Sequence, residues 1–298
     1  AACVAGGHRA SVLVRVTTGV EAHTHEYIAT AHEDQKFGLS IMGGQALTAL
    51  VRCHASQYLD LRGIHSHIGS QIFETFGFEV AIRRTLKLAS QFRTATGVEL
   101  PELDLGGGFG ISYISADSPL GAADLAAAFE EMIDHECRGF GLSRPHLSIE
   151  PGRAICGPAG VALYRVGTIK LVELEGGKSR LYVSVDGGMS DNARPALYGA
   201  NYTVALANRE PSEEHVVSRV VGKHCESGDI VIKDVALSAN LGPGDVLAVP
   251  TTGAYGRSMA SNYNMLTKPG VLAVRDGEAR WLLRPETVQD LLALDADA

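Results

Sequence analysis

As far as residue 157 the chain alternates between two periodicities, and no other feature narrows its fold so much. Four strand-like runs, SVLVRVT (11–17), LRGIHSHI (61–68), PELDLG (101–106) and HLSIEPG (146–152), are separated by stretches with helical spacing. In those stretches Phe78, Ile82, Leu86, Ala89 and Phe92 recur every three or four residues, as do Leu125, Phe129 and Met132, which sets each group along one helix face. Alternating β and α units imply parallel strands in an open or a closed sheet. Closure as a barrel takes eight such units, so four of them make an open sheet or half of a barrel. A first residue of Ala instead of Met favours a barrel begun upstream.

After Gly157-Pro158 the texture changes. YRVGTIKLVEL, RLYVSVDGG, YTVALAN, HVVSRVVGK, DIVIKDVAL, DVLAVPTTG and VLAVRDGEARWLL are short, β-branched and broken by Gly, Pro or acidic turns. They predict an antiparallel β domain. A short helix over PETVQDLLAL ends the chain, with Pro285 suited to its first turn. The expected division is an α/β part over residues 1–157 and an all-β part over 158–298.

Bulk properties exclude several classes. With 298 residues, 45% hydrophobic and 20% charged, the sequence has a soluble globular profile. A net charge of −8 argues against nucleic acid or an anionic membrane as partner. No apolar run approaches the roughly 18 residues of a membrane span, and the start lacks the basic segment and apolar core of a signal peptide. Cysteines 3, 53, 137, 156 and 225 are scattered and never in CxxC spacing, which suits reduced thiols in a cytoplasm and neither a disulfide frame nor a structural zinc site.

Ligands of parallel α/β folds sit beyond the carboxyl ends of the strands. Here those ends carry Arg15-Val16-Thr17, His65-Ser66-His67 with Gly69-Ser70, the triplet Gly106, Gly107 and Gly108, and Glu150-Pro151-Gly152-Arg153. The triplet is either a nest of backbone N–H groups for an anion such as phosphate or a tight strand-to-helix turn; GGGFG lacks dinucleotide-binding spacing. Ser70 could offer a hydroxyl to the same anion or cap the next helix. His67 could be a metal ligand, a base, a flat ring beneath a cofactor, or a buried hydrogen-bonded histidine. His65-x-His67 and His23-x-His25 invite the metal reading, although the later strand ends offer no further ligands of that type. Glu150 and Arg153 could form an ion pair, or could meet a cationic ring nitrogen and an anionic group respectively. In the β domain, Cys225-Glu226 lies in a Gly-flanked turn. Arg194 and Tyr198 (DNARPALYGANY) and Tyr255 (GAYGRSMASNYN) lie in loops rich in binding-type residues.

Six motifs in this order, HSHIGSQ, LDLGGGFG, IEPGRAI, DGGMSDNARPALYGA, GKHCESGD and GAYGRSMASNYN, resemble the diaminopimelate decarboxylase family, within the alanine racemase-like class (fold type III) of pyridoxal phosphate (PLP) enzymes. The resemblance runs from about Arg15 to Met265, and VEAHTHEYIATAHEDQKFG is similar to the actinobacterial branch. It implies a (β/α)8 TIM barrel, present here as its C-terminal half, then a β domain, in a cytoplasmic homodimer with shared active sites. Gly106, Gly107, Gly108 and Ser70 would surround the PLP phosphate, with Gly152 nearby; His67 would stack on the ring and Glu150 would pair with its nitrogen. Arg153, Arg194 and Tyr198 would bind substrate carboxylates, Glu226 the distal ammonium, and Tyr255 both cofactor and substrate. Cys225, from the partner subunit, would donate the proton, and no metal is implied. A guanidinium and a carboxylate offered together at the distal end match an amino-acid head better than a bare amine. The implied reaction is meso-2,6-diaminopimelate to L-lysine and CO2.

None of the lysines at 36, 87, 170, 178, 223, 233 and 268 matches the family's Schiff-base lysine. That residue is expected on an early barrel strand upstream of Ala1, leaving this chain inactive by itself. The competing expectations are an arginine or ornithine decarboxylase, a non-catalytic relative, and a metal-dependent barrel hydrolase using His23, His25, His65 and His67.

Overall fold

The computed structural model describes residues 2–20 and 36–296, and its chain divides into two compact units. The first comprises Ala1–Ser112 and Asp117–Ile155; the second, Tyr113–Ala116 and Cys156–Ala298. His23 and His25 lie outside the described residues.

The first unit is a parallel sheet of five strands, β1 (Ala10–Thr17), β2 (Leu39–Ser40), β3 (Leu59–Ser66), β4 (Glu102–Asp104) and β5 (His146–Ser148), in the order β2-β1-β3-β4-β5. That is one strand more than the four expected; β2 has only two residues, too few to show an alternation. α1 (Ala2–Gly6) precedes the sheet, and α2 (Gln45–His54), α3 (Phe76–Thr96) and α4 (Ala122–Phe140) connect its strands. The predicted helix faces are the packed ones. Phe78, Ile82, Leu86, Ala89 and Phe92 of α3 join Val14, Val16, Ile64, Leu103, Phe129 and Ile133 in one core. Phe78 stacks on Phe109 at 5.3 Å and tilts against Phe129 at 5.1 Å. Burying a side chain of this size contributes on the order of 1.5–3 kcal/mol.

Register determines what reaches the strand ends. Arg15 lies opposite His65, His65 opposite Asp104, and Asp104 opposite Ser148. Directly paired residues project to the same face of a sheet, so β1, β3 and β4 present Arg15, His65 and Asp104 as one polar row.

The second unit begins its main chain course with α5 (Gly152–Cys156), which straddles the division. Its six-stranded sheet contains β6 (Val161–Glu173), β7 (Ser179–Val185), β8 (Ala205–Leu206), β9 (His215–Val221), β10 (Ile230–Ser238) and β11 (Val246–Pro250), ordered β10-β9-β7-β6-β11-β8. The expected antiparallel domain is corrected to a mixed sheet: β7 and β9 run parallel, and the remaining pairs antiparallel. The long connection over 186–214 allows it, since a parallel pair needs a crossover that a tight turn cannot supply. That connection holds α6 (Arg194–Tyr198), a helix inside what reads as a loop. β12 (Val271–Arg275) and β13 (Glu278–Leu283) form a separate hairpin. Its turn, Asp276-Gly277, has φ of +52° and +80°, the pair of positive angles a type I′ turn requires. α7 (Gly256–Met259) and α8 (Val288–Leu292) complete the unit. Pro285 does not enter the last helix; Thr287 is the cap, in a reciprocal pair of bonds with Asp290.

Candidate active site

Three groups of side chains, one in the first unit and two in the second, have the chemistry of a binding site. In the first unit the glycine triplet knits the strand exits together. A Cβ on Gly106 would stand 2.4 Å from the Ser66 carbonyl oxygen, one on Gly107 2.4 Å from that of Glu150, and one on Gly108 2.3 Å from that of Gly69. These positions are filled by the chain's own backbone. The glycines let β4 pass between the exits of β3 and β5 with no side chain in the way. Two of the amides also have protein acceptors, Gly106 N–H donating to Asp104 Oδ1 (2.8 Å) and Gly107 N–H to His67 Nδ1 (3.0 Å).

That second bond leaves Nδ1 of His67 unprotonated. Burial lowers the pKa of the ring, and the nearby Arg15 guanidinium lowers it further, against a smaller opposing pull from Glu150. His67 is thus a neutral, flat imidazole near pH 7. Glu150 is exposed, and its Oε2 lies 3.3 Å from His65 Nε2. Arg153, buried on α5, donates from Nη2 to Ser70 Oγ at 2.6 Å. A guanidinium beside a hydroxyl, a neutral ring and an exposed acid fit the phosphate, face and ring nitrogen of PLP. Gly152 starts α5 beside open space: a Cβ there would meet no atom of the described residues within 4 Å.

Of the histidines in the metal reading, His65 has ligand-type neighbours, and His23 and His25 lie outside the described residues. Among those described, His65, Asp104 and Glu150 are the one trio whose ligand atoms fall within 4.8 Å of one another; His67 is not in it. Asp104 and His65 were missed as neighbours of Glu150, although counting residues along paired strands would have found them.

The second unit holds two clusters. Arg194 opens α6 and is buried, with its guanidinium carbon 4.7 Å from the ring centre of Tyr113, 5.7 Å from that of Tyr202 and 5.9 Å from that of Tyr255. Its Nη1 donates to Tyr202 Oη at 2.7 Å. Among the described residues no carboxylate comes within ion-pair distance of it. The neighbouring Asn192 is buried with neither end of its amide hydrogen-bonded to a described group. Buried charge and buried amide are costly when unpartnered, which marks this loop as built for an anionic, hydrogen-bonding ligand. Tyr198 ends the same helix, half-buried. Tyr255, exposed, holds φ at +67°, a strained value for a ring-bearing residue and typical of ligand sites.

The other cluster lies in the turn between β9 and β10. Cys225 Sγ is 3.4 Å from Glu226 Oε1, so the two neighbours do face one region. Tyr263 also donates to Glu226 Oε1. This bond holds the Glu226 carboxyl below the usual range, while partial desolvation opposes it, and the same bond raises the Tyr263 phenol. Glu226 Oε2 is buried without a donor. Asp229 sets the turn, accepting from Met189 N–H (2.6 Å) and His224 N–H (2.8 Å). The sequence motif contains Tyr263, but nothing in its spacing singles that residue out.

Comparison with known proteins agrees with these features. Residues 3–157 match the pyridoxal binding domain of pyridoxal-dependent decarboxylases, and residues 103–253 match their C-terminal sheet domain. The chain belongs to the pyridoxal-dependent decarboxylase family. Within it, the chain is 52% identical over 288 residues to the diaminopimelate decarboxylase of Mycobacterium tuberculosis, covering 95% of this chain and 64% of that protein. Against the Bacillus subtilis diaminopimelate decarboxylase the identity is 45%, covering 98% and 66%. The structure of Helicobacter pylori diaminopimelate decarboxylase complexed with L-lysine superposes with a TM-score of 0.86 at 32% identity, covering 99% of this chain and 69% of the other. The chain therefore spans about two thirds of the length of the relatives it matches. Among the described residues no helix is long and apolar enough to cross a membrane.

Proposed function

We propose that the chain forms the larger part of a PLP-dependent enzyme that converts meso-2,6-diaminopimelate to L-lysine and CO2. The observation that carries the substrate choice is the buried guanidinium of Arg194 with, among the described residues, no carboxylate at ion-pair distance, in the same unit as a Glu226 oxygen that lacks a donor among them. Together they offer what an amino-acid head brings, an anion and an ammonium. A bare diamine would leave Arg194 unanswered, and unanswered buried groups penalise the wrong substrate heavily.

Bound PLP would supply an electron sink for the pair of electrons left when carboxylate departs. Arg153 and Ser70, with the Gly106–Gly108 turn behind them, would hold its phosphate. His67, neutral and flat, would lie against the ring. Glu150 would meet the ring nitrogen and favour its protonated form. Arg194 and Tyr198 would take the distal carboxylate, Glu226 the distal ammonium, and Tyr255 would border both cofactor and substrate. The Cys225 thiol, contributed across a homodimer interface, would give its proton to the carbon that lost the carboxylate. None of the seven lysines falls in the position of the family's Schiff-base lysine.

The test uses the polypeptide as its gene encodes it, loaded with PLP and given meso-diaminopimelate, arginine or ornithine. Release of L-lysine from the first, with little turnover of the others, is expected; preference for ornithine or arginine would overturn the reading. Cys225→Ala should cut lysine formation by about 10²–10⁴-fold.

A further inference from the structure

We propose that Tyr202 is a positioning residue that aims Arg194 and so enforces a carboxylate on the distal end of the ligand. The inference rests on the substrate reading above and assigns the selectivity to a residue that touches Arg194, outside the six motifs' evident ligands.

The geometry is that of a built socket. Tyr202 and Tyr113 are both buried and meet edge to face, with ring centres 5.0 Å apart and planes at 82°. Tyr113 is fixed from behind, because its carbonyl accepts from both Thr203 N–H (3.0 Å) and Thr203 Oγ1 (2.9 Å). Residue 202 is thereby carried against the ring of residue 113 by its own chain neighbour. Arg194 is set from the other side. Its carbonyl accepts from Gly199 and Ala200 as α6 ends, so the backbone on both sides of the socket is hydrogen-bonded.

Rings alone leave a guanidinium free to turn in its own plane, because stacking on an aromatic face has no preferred in-plane direction. The 2.7 Å bond from Nη1 to Tyr202 Oη removes that freedom. One of the five N–H donors of the fork is given a fixed direction, and planarity fixes the rest. A carboxylate is recognised by two parallel N–H bonds, so its affinity depends on that direction. An amine gains nothing from it. Tyr202 therefore acts on one half of the amino-acid head and not on the other.

Lysine and cadaverine separate these halves, since they differ by the carboxylate alone. In the PLP-loaded polypeptide as its gene encodes it, calorimetric dissociation constants are compared for the two ligands in the parent and in Tyr202→Phe. The substitution keeps the ring and removes only the hydroxyl. The lysine constant is expected to rise about tenfold or more, the scale of a hydrogen bond to a charged group, and the cadaverine constant to stay within about twofold. A parallel loss for both ligands would mean a structural defect and overturn the proposal, as would no change for either. A parent protein that binds cadaverine as tightly as lysine overturns the substrate reading itself, a different result from a parent that discriminates and a variant that still does.

Discussion

The candidate site groups at the strand ends of the first unit bond mainly to one another, whereas several of those in the second have atoms with no partner among the described residues. At the strand ends His67 accepts from Gly107, Arg153 donates to Ser70, Asp104 accepts from Gly106, and His65 approaches Glu150. In the β unit, among the described residues, Arg194 has no carboxylate within ion-pair distance, the Asn192 amide has no partner, and Glu226 keeps one oxygen without a donor. The first arrangement suits a cofactor that stays, since its frame stands without help. The second suits a ligand that arrives and leaves, since only the ligand completes it. The difference shows how burial of polar groups can be read for residence time as well as for chemistry.

Gly106→Ala should break the first frame most severely. At φ +70° with 2.4 Å to the Ser66 oxygen, the added methyl should cost about 3 kcal/mol or more in unfolding free energy. Urea denaturation measures it. An unchanged midpoint would mean that the glycine serves only a ligand. Arg194→Met should do the opposite: binding of lysine falls about 100-fold, while the unfolding midpoint holds or rises, because the variant removes a buried charge that has no ion partner. Calorimetry and denaturation together test it, and a stability loss on the scale of Gly106→Ala would erase the contrast between the units.

A smaller effect is expected from pH. The folded pKa of His67 lies below its ordinary 6.5, so the unfolded chain takes up the proton first as pH falls. Stability from this group is therefore complete above about 6.5 and declines as pH drops through the folded value. His67→Gln should flatten that slope in denaturation curves taken from pH 7.5 to 5. Tyr263→Phe should change stability least, because the phenol is exposed. Its signature is in binding. Without the phenol donor the Glu226 carboxyl moves up toward its ordinary range, and the acid limit for binding lysine shifts to higher pH.

Much of this was legible in the sequence. Helix faces such as Phe78 to Phe92 showed because burial on one side leaves a period of three to four residues. The motifs at 65–70, 106–108 and 150–153 showed because parallel strands deliver their ends to one edge. Other features left no local trace. β2 is too short for any period, and the parallel pairing of β7 with β9 depends on a crossover and not on either strand. The glycine triplet showed as a motif but its reason did not, since a close approach by backbone and one by a ligand demand the same residue. Tyr113, Tyr202 and Tyr263 are brought to Arg194 and Glu226 by folding alone, and no spacing announces them.

The row Arg15–His65–Asp104 has a consequence for any attempt to transplant or splice these strands. Because facing alternates with every residue, deleting or inserting one amino acid within β3 or β4 would turn its member of the row through the sheet, into the aliphatic layer beneath α3. Length, more than composition, is what such an edit would have to conserve.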